Sequence, residues 1–106
     1  MNRNEFIEKL ASRLNLTKRS ARQTVDAVFG LITETLSKNE PVQLTGFGKF
    51  EPRARRESNR INPQTRERIR VPRKVVPTFK PGKGLREKLA RSLRVVEAGG
   101  KLEVRK

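Results

Sequence analysis

The sequence predicts an α+β fold: a helical hairpin base, then antiparallel strands carrying a long β-ribbon arm, then a C-terminal helix. Three observations predict it. Apolar residues recur at helical spacing as far as Leu36, and the period switches to two at Val42. Residues 53–74 then hold nine Arg/Lys against two Glu around a central Asn62-Pro63. Helical spacing gathers apolar side chains into one stripe, whereas alternation gathers them on one face of a strand.

Asn2 with Glu5 three residues later reads as a helix cap, and Phe6, Ile7, Leu10, Ala11 and Leu14 follow at helical spacing. Thr17 caps a second, longer helix whose apolar positions are Ala21, Val25, Val28, Phe29, Ile32 and Leu36. Lys38, Asn39 and Pro41 stop it. Two amphipathic helices joined by a short turn need a surface to cover. A helix-turn-helix reader of base edges would expose cations along its second helix. This one offers Gln23, Thr24, Thr33 and Glu34 there, so packing helices are the better reading.

Val42 and Leu44 alternate with Gln43 and Thr45, Gly46-Phe47-Gly48 turns the chain, and Lys49–Arg55 runs back as a second strand. That strand continues into the Arg-rich segment with no break in the pattern. Asn62-Pro63-Gln64-Thr65 supplies turn chemistry, and the chain returns through Glu67–Val71 to Val75, Val76, Thr78 and Phe79. On the return limb Arg66, Arg68 and Arg70 fall at period two, with Ile69 and Val71 on the opposite face. Pro72 and Pro77 lack ladder donors and belong at edges or bulges. The result is a long hairpin, about residues 53–75, with a cationic face and a proline at its tip. Lys80-Pro81-Gly82-Lys83-Gly84 opens a third helix with Leu85, Leu89, Leu93 and Val96 as its stripe, ended by Gly99-Gly100. Residues 101–106 alternate Leu102 and Val104 with charges, as a short strand or a frayed tail would.

The net charge of +15 is unevenly placed. Residues 1–52 carry +2, residues 53–74 carry +7 and residues 80–106 carry +6. Concentration of that kind marks a polyanionic partner. Arg outnumbers Lys, 16 to 10, and the planar, weakly hydrated guanidinium forks onto phosphate, favouring nucleic acid over a membrane surface. A solvated basic loop is the plainer alternative, and the alternation on both limbs argues against it. With 106 residues, 33% apolar, and no Trp or Tyr, the chain is short of core, so association of two chains is expected.

The chemistry of catalysis is thinly represented. The chain has no His, no Cys and one Asp, so the usual bases, nucleophiles and soft metal ligands are missing. An enzyme, a metal, a cofactor and a small-molecule substrate are therefore not expected. Gly82-Lys83-Gly84 does not complete a phosphate-binding loop. It does put backbone N–H groups at a helix start beside Lys80, Lys83 and Arg86, where one phosphate would fit; an ordinary turn with solvated lysines is the alternative. With no apolar span and no Cys, a cytoplasmic protein without membrane contact is expected.

Three stretches carry a family resemblance: residues 42–50 (VQLTGFGKF), 60–65 (RINPQT) and 75–83 (VVPTFKPGK). The chain resembles the bacterial HU/IHF histone-like proteins over about residues 1–91, leaving 92–106 as a basic C-terminal extension. The resemblance implies a three-stranded sheet in each chain and an intertwined dimer with Phe29, Phe47, Phe50 and Phe79 in its core. It implies an architectural protein of the nucleoid that bends and compacts double-stranded DNA with little sequence preference. Its arms would enter the minor groove and intercalate Pro63, the mode by which this family is already known to act. DNA contacts would come from Arg53, Arg55, Arg56, Arg60, Ile61, Asn62, Gln64, Arg66, Arg68, Arg70, Arg73 and Lys74 on the arm. On the body they would come from Arg3, which with Asp26 matches family positions near the surface where flanking DNA passes, and from Lys18, Lys80, Lys83 and Arg86.

Three departures stand out. Many members have Gly-Arg before Asn-Pro where this chain has Arg60-Ile61; Arg66 takes a place commonly held by Gly; and the chain runs about 15 residues past the usual end. A homodimer is expected, with an IHF-type subunit that pairs with a different chain and recognises deformable sites as the alternative. From another class, a basic RNA-binding or ribosome-associated protein is the rival. RNA readers stack bases on exposed aromatics, and no aromatic lies between Phe50 and Phe79.

Overall fold

The computed structural model describes all 106 residues. Helices α1 (Arg3–Leu14) and α2 (Lys18–Ser37) are followed by strands β1 (Val42–Leu44), β2 (Gly48–Arg55), β3 (Ser58–Ile61), β4 (Arg68–Val71) and β5 (Lys74–Pro81). Helix α3 (Lys83–Ser92) and strands β6 (Arg94–Ala98) and β7 (Lys101–Arg105) complete the chain. The α+β expectation holds, with one three-stranded antiparallel sheet in the order β1-β2-β5 and two separate two-stranded ribbons.

The helix starts behave as their sequences dictate. Asn2 Oδ1 accepts from the Glu5 N–H at 2.9 Å, and Thr17 Oγ1 accepts from the Ser20 N–H at 3.1 Å. Asn15 takes the left-handed conformation (φ 55°) that reverses the chain between the helices. Thr24, Thr33, Thr35 and Ser37 sit inside α2 because each hydroxyl donates to the carbonyl one turn earlier.

The sheet is organised by its prolines. Pro52 lies opposite Pro77 in the β2–β5 ladder. Neither has an N–H, so the pair must occupy a site where opposed residues exchange no hydrogen bonds, and such sites alternate along an antiparallel ladder. The bonded sites are therefore the odd-numbered residues of β2. The register of the β2–β5 ladder (Arg55↔Lys74) carries on unshifted into the β3–β4 ladder (Ser58↔Val71). The hydrogen-bond phase does not: the Gly82 N–H bonds the Phe47 carbonyl, at an odd-numbered site, whereas the Asn62 N–H bonds the Glu67 carbonyl, at an even-numbered site of the same register. The expectation of an unbroken strand into the arm is thus corrected. Pairing lapses at residues 56–57 and 72–73, where the bonded sites change from odd-numbered to even-numbered residues.

The same parity sorts the side chains. Phe50, Pro52, Ala54, Val75, Pro77 and Phe79 share one face with Val42 and Leu44, while Lys49, Glu51, Arg53, Arg55, Lys74, Thr78 and Lys80 share the other with Val76. Phe79 stacks tilted on Phe50 (ring centroids 4.7 Å) and Phe47 (5.4 Å). A Cβ on Gly48 would come within 2.5 Å of the Phe79 ring, so only glycine lets this ring cross the strand.

Little of this apolar face is covered within one chain. The buried hydrophobic residues are Ile7, Ala11, Ala21 and Val25, all between α1 and α2. Phe29, Phe47 and Phe79 remain 51%, 49% and 40% exposed. An open groove between the end of α2 and the sheet is lined by Leu36, Pro52, Val75 and Pro77. The radius of gyration is 19.1 Å, where a compact chain of this length would have about 13 Å.

The C-terminus departs from expectation. Helix α3 ends at Ser92, so Val96 lies on β6 and not on a helical stripe. Gly99 and Gly100, at φ 60° and 78°, form the turn of a β-hairpin and do not cap a helix. The alternation of Leu102 and Val104 is that of a strand.

Candidate nucleic-acid interface

The arm is a ribbon of four opposed pairs: Ser58↔Val71, Asn59↔Arg70, Arg60↔Ile69 and Ile61↔Arg68. Residues directly opposite share a face, so Asn59, Ile61, Arg68 and Arg70 lie on one side, and Ser58, Arg60, Ile69 and Val71 lie on the other. Arg60 therefore emerges opposite Arg68 and Arg70, so these arginines do not line a single surface. Ile61 shares the Arg68–Arg70 face and is 65% exposed, an apolar patch next to the tip.

The tip is fixed by its own backbone. The Asn62 N–H donates to the Glu67 carbonyl at 2.9 Å, and the Arg66 N–H donates to the Asn62 carbonyl at 2.7 Å. Asn62 Oδ1 accepts from the Gln64 N–H at 3.0 Å, an Asx turn that folds the chain around Pro63. Pro63 stands exposed at the end of the ribbon. Arg66 belongs to this turn and not to the period-two run, which corrects its expected place on the strand. Its φ of 58° is a left-handed conformation that costs a residue with a Cβ about 1 kcal/mol.

At the arm root, Arg73 Nε donates to Glu57 Oε2 at 2.6 Å, with a longer second bond at 3.4 Å. That hydrogen bond holds the Glu57 carboxyl below its ordinary value. The pair spans the gap in the ladder, supplying across the strands a link the backbone lacks. Sequence reasoning counted Glu57 only as a stray negative charge, because its partner lies 16 residues away and becomes a neighbour only in register.

The outward face of the body sheet has its own charge order. Lys49 lies opposite Lys80, and Glu51 serves both, at 3.7 Å and 2.7 Å. Its carboxyl is held below the ordinary value, chiefly by the Lys80 hydrogen bond. Arg55 lies opposite Lys74, and no carboxylate bridges that pair. Like charges set directly opposite are destabilising, so an unbridged pair invites an anion.

The remaining predicted residues fall into two groups. Arg53, Arg55, Arg56, Arg60, Arg66, Arg68, Arg70, Lys74 and Arg86 form no ion pair with a carboxylate. By contrast Arg3 is bonded to Asp26, Lys18 lies 3.3 Å from Glu8, and Lys83 lies 3.8 Å from Glu87. These pairs are exposed and contribute little to stability, so an incoming phosphate could replace the carboxylate. At the start of α3 the Gly82 N–H donates to the Phe47 carbonyl at 2.8 Å, so that amide is not available to an anion, contrary to expectation. No side chain caps α3, which leaves its first-turn amides beside Lys83 and Arg86. A Cβ on Gly84 would stand 3.0 Å from the Gly46 carbonyl oxygen, so glycine leaves room for the helix start beside the β1–β2 turn.

A small antiparallel sheet that extends a cationic, proline-tipped ribbon from a helical base defines a class of nucleic-acid-binding architecture. The family described as Bacterial DNA-binding protein matches residues 1–90, and the chain belongs to that family. It is 48% identical over 87 residues to DNA-binding protein HU of Geobacillus stearothermophilus, a match covering 82% of this chain and 97% of the relative. To HU of Thermotoga maritima it is 42% identical over 89 residues, covering 84% and 99%. Among solved structures, a cocrystal of Anabaena HU with DNA superimposes with a TM-score of 0.78 at 38% identity, covering 85% of this chain and 98% of that one. Thermotoga maritima HU superimposes at 0.59 with 35% identity, covering 83% and 97%.

Two expectations test the arm. Glu57→Gln should loosen the root at neutral pH. A depressed carboxyl contributes fully above its ordinary value and loses that effect as pH falls through its lowered value. The wild type should therefore loosen to match the variant only once pH drops below the lowered Glu57 value, as 15N relaxation of residues 55–58 and 71–74 would report. Arg66→Gly should relieve about 1 kcal/mol of backbone strain and raise amide protection across residues 62–67.

Proposed function

We propose that the protein is an architectural, largely sequence-nonspecific double-stranded DNA-binding protein that bends and compacts DNA. It acts as a homodimer through two β-ribbon arms in the minor groove. The observation that carries this reading is the arm itself: a ribbon rich in unpaired arginines, ending in an exposed, apolar proline fixed by an Asx turn. Arg53, Arg55, Arg56, Arg60, Arg66, Arg68, Arg70, Arg73 and Lys74 supply backbone contacts, with Asn62 and Gln64 beside the tip. Such contacts give affinity that falls steeply with salt and little sequence information. Pro63, with Ile61 close behind it, enters a base step and unstacks it, at a cost of a few kcal/mol offset by wider wrapping of the duplex.

The dimer follows from what one chain leaves uncovered. Phe29, Phe47 and Phe79, together with the groove beside Pro52 and Val75, form a face too apolar to stay in water, and Phe50 lies in the same ring cluster. Gly30, in the middle of α2, has nothing within 4 Å of where a Cβ would stand. Glycine costs a helix about 1 kcal/mol relative to alanine, and open space beside it suits close approach by a second copy. Arg3, Lys18, Lys80, Lys83 and Arg86 then meet flanking phosphates along the body. In this reading the protein is not an enzyme and works in the cytoplasm, at the nucleoid. An arm without a single aromatic residue favours duplex DNA over single-stranded RNA.

Pro63→Ala tests the mechanism. It should reduce bending, read by ligation-circularisation of short duplexes, much more than it reduces affinity. Unchanged circularisation at matched occupancy would remove intercalation from the account.

A further inference from the structure

The last strands form a second projecting ribbon. Strands β6 and β7 pair Arg94↔Arg105, Val95↔Val104, Val96↔Glu103, Glu97↔Leu102 and Ala98↔Lys101, closed by Gly99 and Gly100. This hairpin lies beyond residues 1–90 that define the family, and past the length of the HU relatives, 97% and 99% of which are already matched. Nothing in the arm mechanism uses it.

Its charge arrangement is informative. Register sets Arg94 directly opposite Arg105 at the open end, where α3 enters. Arg91, in the last turn of α3, and Lys106, following β7, adjoin the same end. The only carboxylate in contact is Glu103, 3.1 Å from Arg105, an exposed pair of little strength. Arg91, Arg94 and Lys106 have no such partner. The protein holds two other cross-strand pairs of like charge for comparison. Lys49↔Lys80 is neutralised by Glu51 between the two, whereas Arg55↔Lys74, at the arm root, is left open. The hairpin stands between these two: Glu103 engages Arg105 alone, so Arg94 is left without a carboxylate as Arg55 and Lys74 are at the arm root. An isolated two-stranded ribbon is marginal in water, and repulsion across its first rung weakens it further. An anion seated between the two guanidinium groups removes that repulsion and accepts forked hydrogen bonds from both.

We propose that the open end of the C-terminal hairpin, built from Arg91, Arg94, Arg105 and Lys106, is a second, arm-independent site for DNA backbone phosphates. Phosphate binding and ordering of the hairpin are coupled. The inference rests on the DNA-binding reading, and it adds a contact that the HU relatives lack the chain to make.

The test is a salt titration of duplex affinity for the full-length wild type, the double variant Arg94→Gln/Arg105→Gln, and the charge-matched control Lys9→Gln/Arg13→Gln on α1. Each contacted phosphate contributes about −0.9 to the slope of log K against log salt. Loss of two cations per protomer should therefore flatten the slope by about 2 to 4 units in a dimer, while the control stays near the wild type. Co-capture of a second, labelled duplex is measured alongside. A flattened slope on one duplex assigns the site to flanking backbone of the same molecule. An unchanged slope with lost co-capture assigns it to a bridged second duplex. If the hairpin variant matches the control in both assays, the proposal is overturned. Should the wild type bind and bend duplex normally in that case, the arm reading survives; should it bind no duplex at all, the DNA-binding reading itself has failed. The double variant removes repulsion and keeps every apolar residue, so circular dichroism should show it folded.

Discussion

The absence of two backbone donors, in Pro52 and Pro77, constrains the sheet from which the arm projects. Because the two prolines face one another, the parity of the β2–β5 ladder has one allowed setting. That setting turns Phe50 and Phe79 to one side and Arg53 and Arg55 to the other. That setting does not extend past Pro72: the bonded sites change parity at residues 56–57 and 72–73, and there the arm separates from the body. A one-residue slip would exchange the apolar and cationic faces completely. Hydrophobic and electrostatic surfaces thus share one register.

The joint at the arm root combines continuity with compliance. Register passes through the gap unshifted, so the arm stays aligned with its sheet. With the ladder bonds absent over two residue pairs, the Glu57–Arg73 contact is the cross-strand link there, and it is exposed enough to yield to a competing phosphate. A ribbon that must follow a duplex while it bends benefits from such a joint. At the tip the opposite choice is made: three local hydrogen bonds fix the turn, and Arg66 accepts a strained conformation within it. A compliant root is thus joined to a rigid end that holds Pro63 exposed at the tip.

Charge is handled by the same economy. Where cations serve the fold, a carboxylate sits among them, as Glu51 does between Lys49 and Lys80. Where they face outward for a ligand, opposed cations are left with little or no compensation, at Arg55↔Lys74 and again at Arg94↔Arg105. Repulsion kept in the free protein becomes binding energy once an anion arrives. Apolar surface follows a parallel logic, since a chain that leaves most of its phenylalanines exposed has placed its core between two copies.

Local chemistry was enough to determine the helices, their caps at Asn2 and Thr17, the turn at Gly46, the tip at Asn62-Pro63 and the cationic character of the arm. Each depends on residues within a few positions of one another, where spacing translates directly into geometry. Tertiary structure alone decided what depends on pairing across distance. The break at the arm root, the Glu57–Arg73 and Lys49–Glu51–Lys80 contacts and the separation of Arg60 from Arg68 all depend on how the strands pair. The C-terminal hairpin eluded the pattern for a related reason. Leu93, Val96 and the glycine pair read as a helical stripe and its end, and only pairing with β7 puts Val96 on a strand and the glycines in a hairpin turn. Periodicity fixes which face a side chain occupies within its own segment; only register fixes what stands across from it.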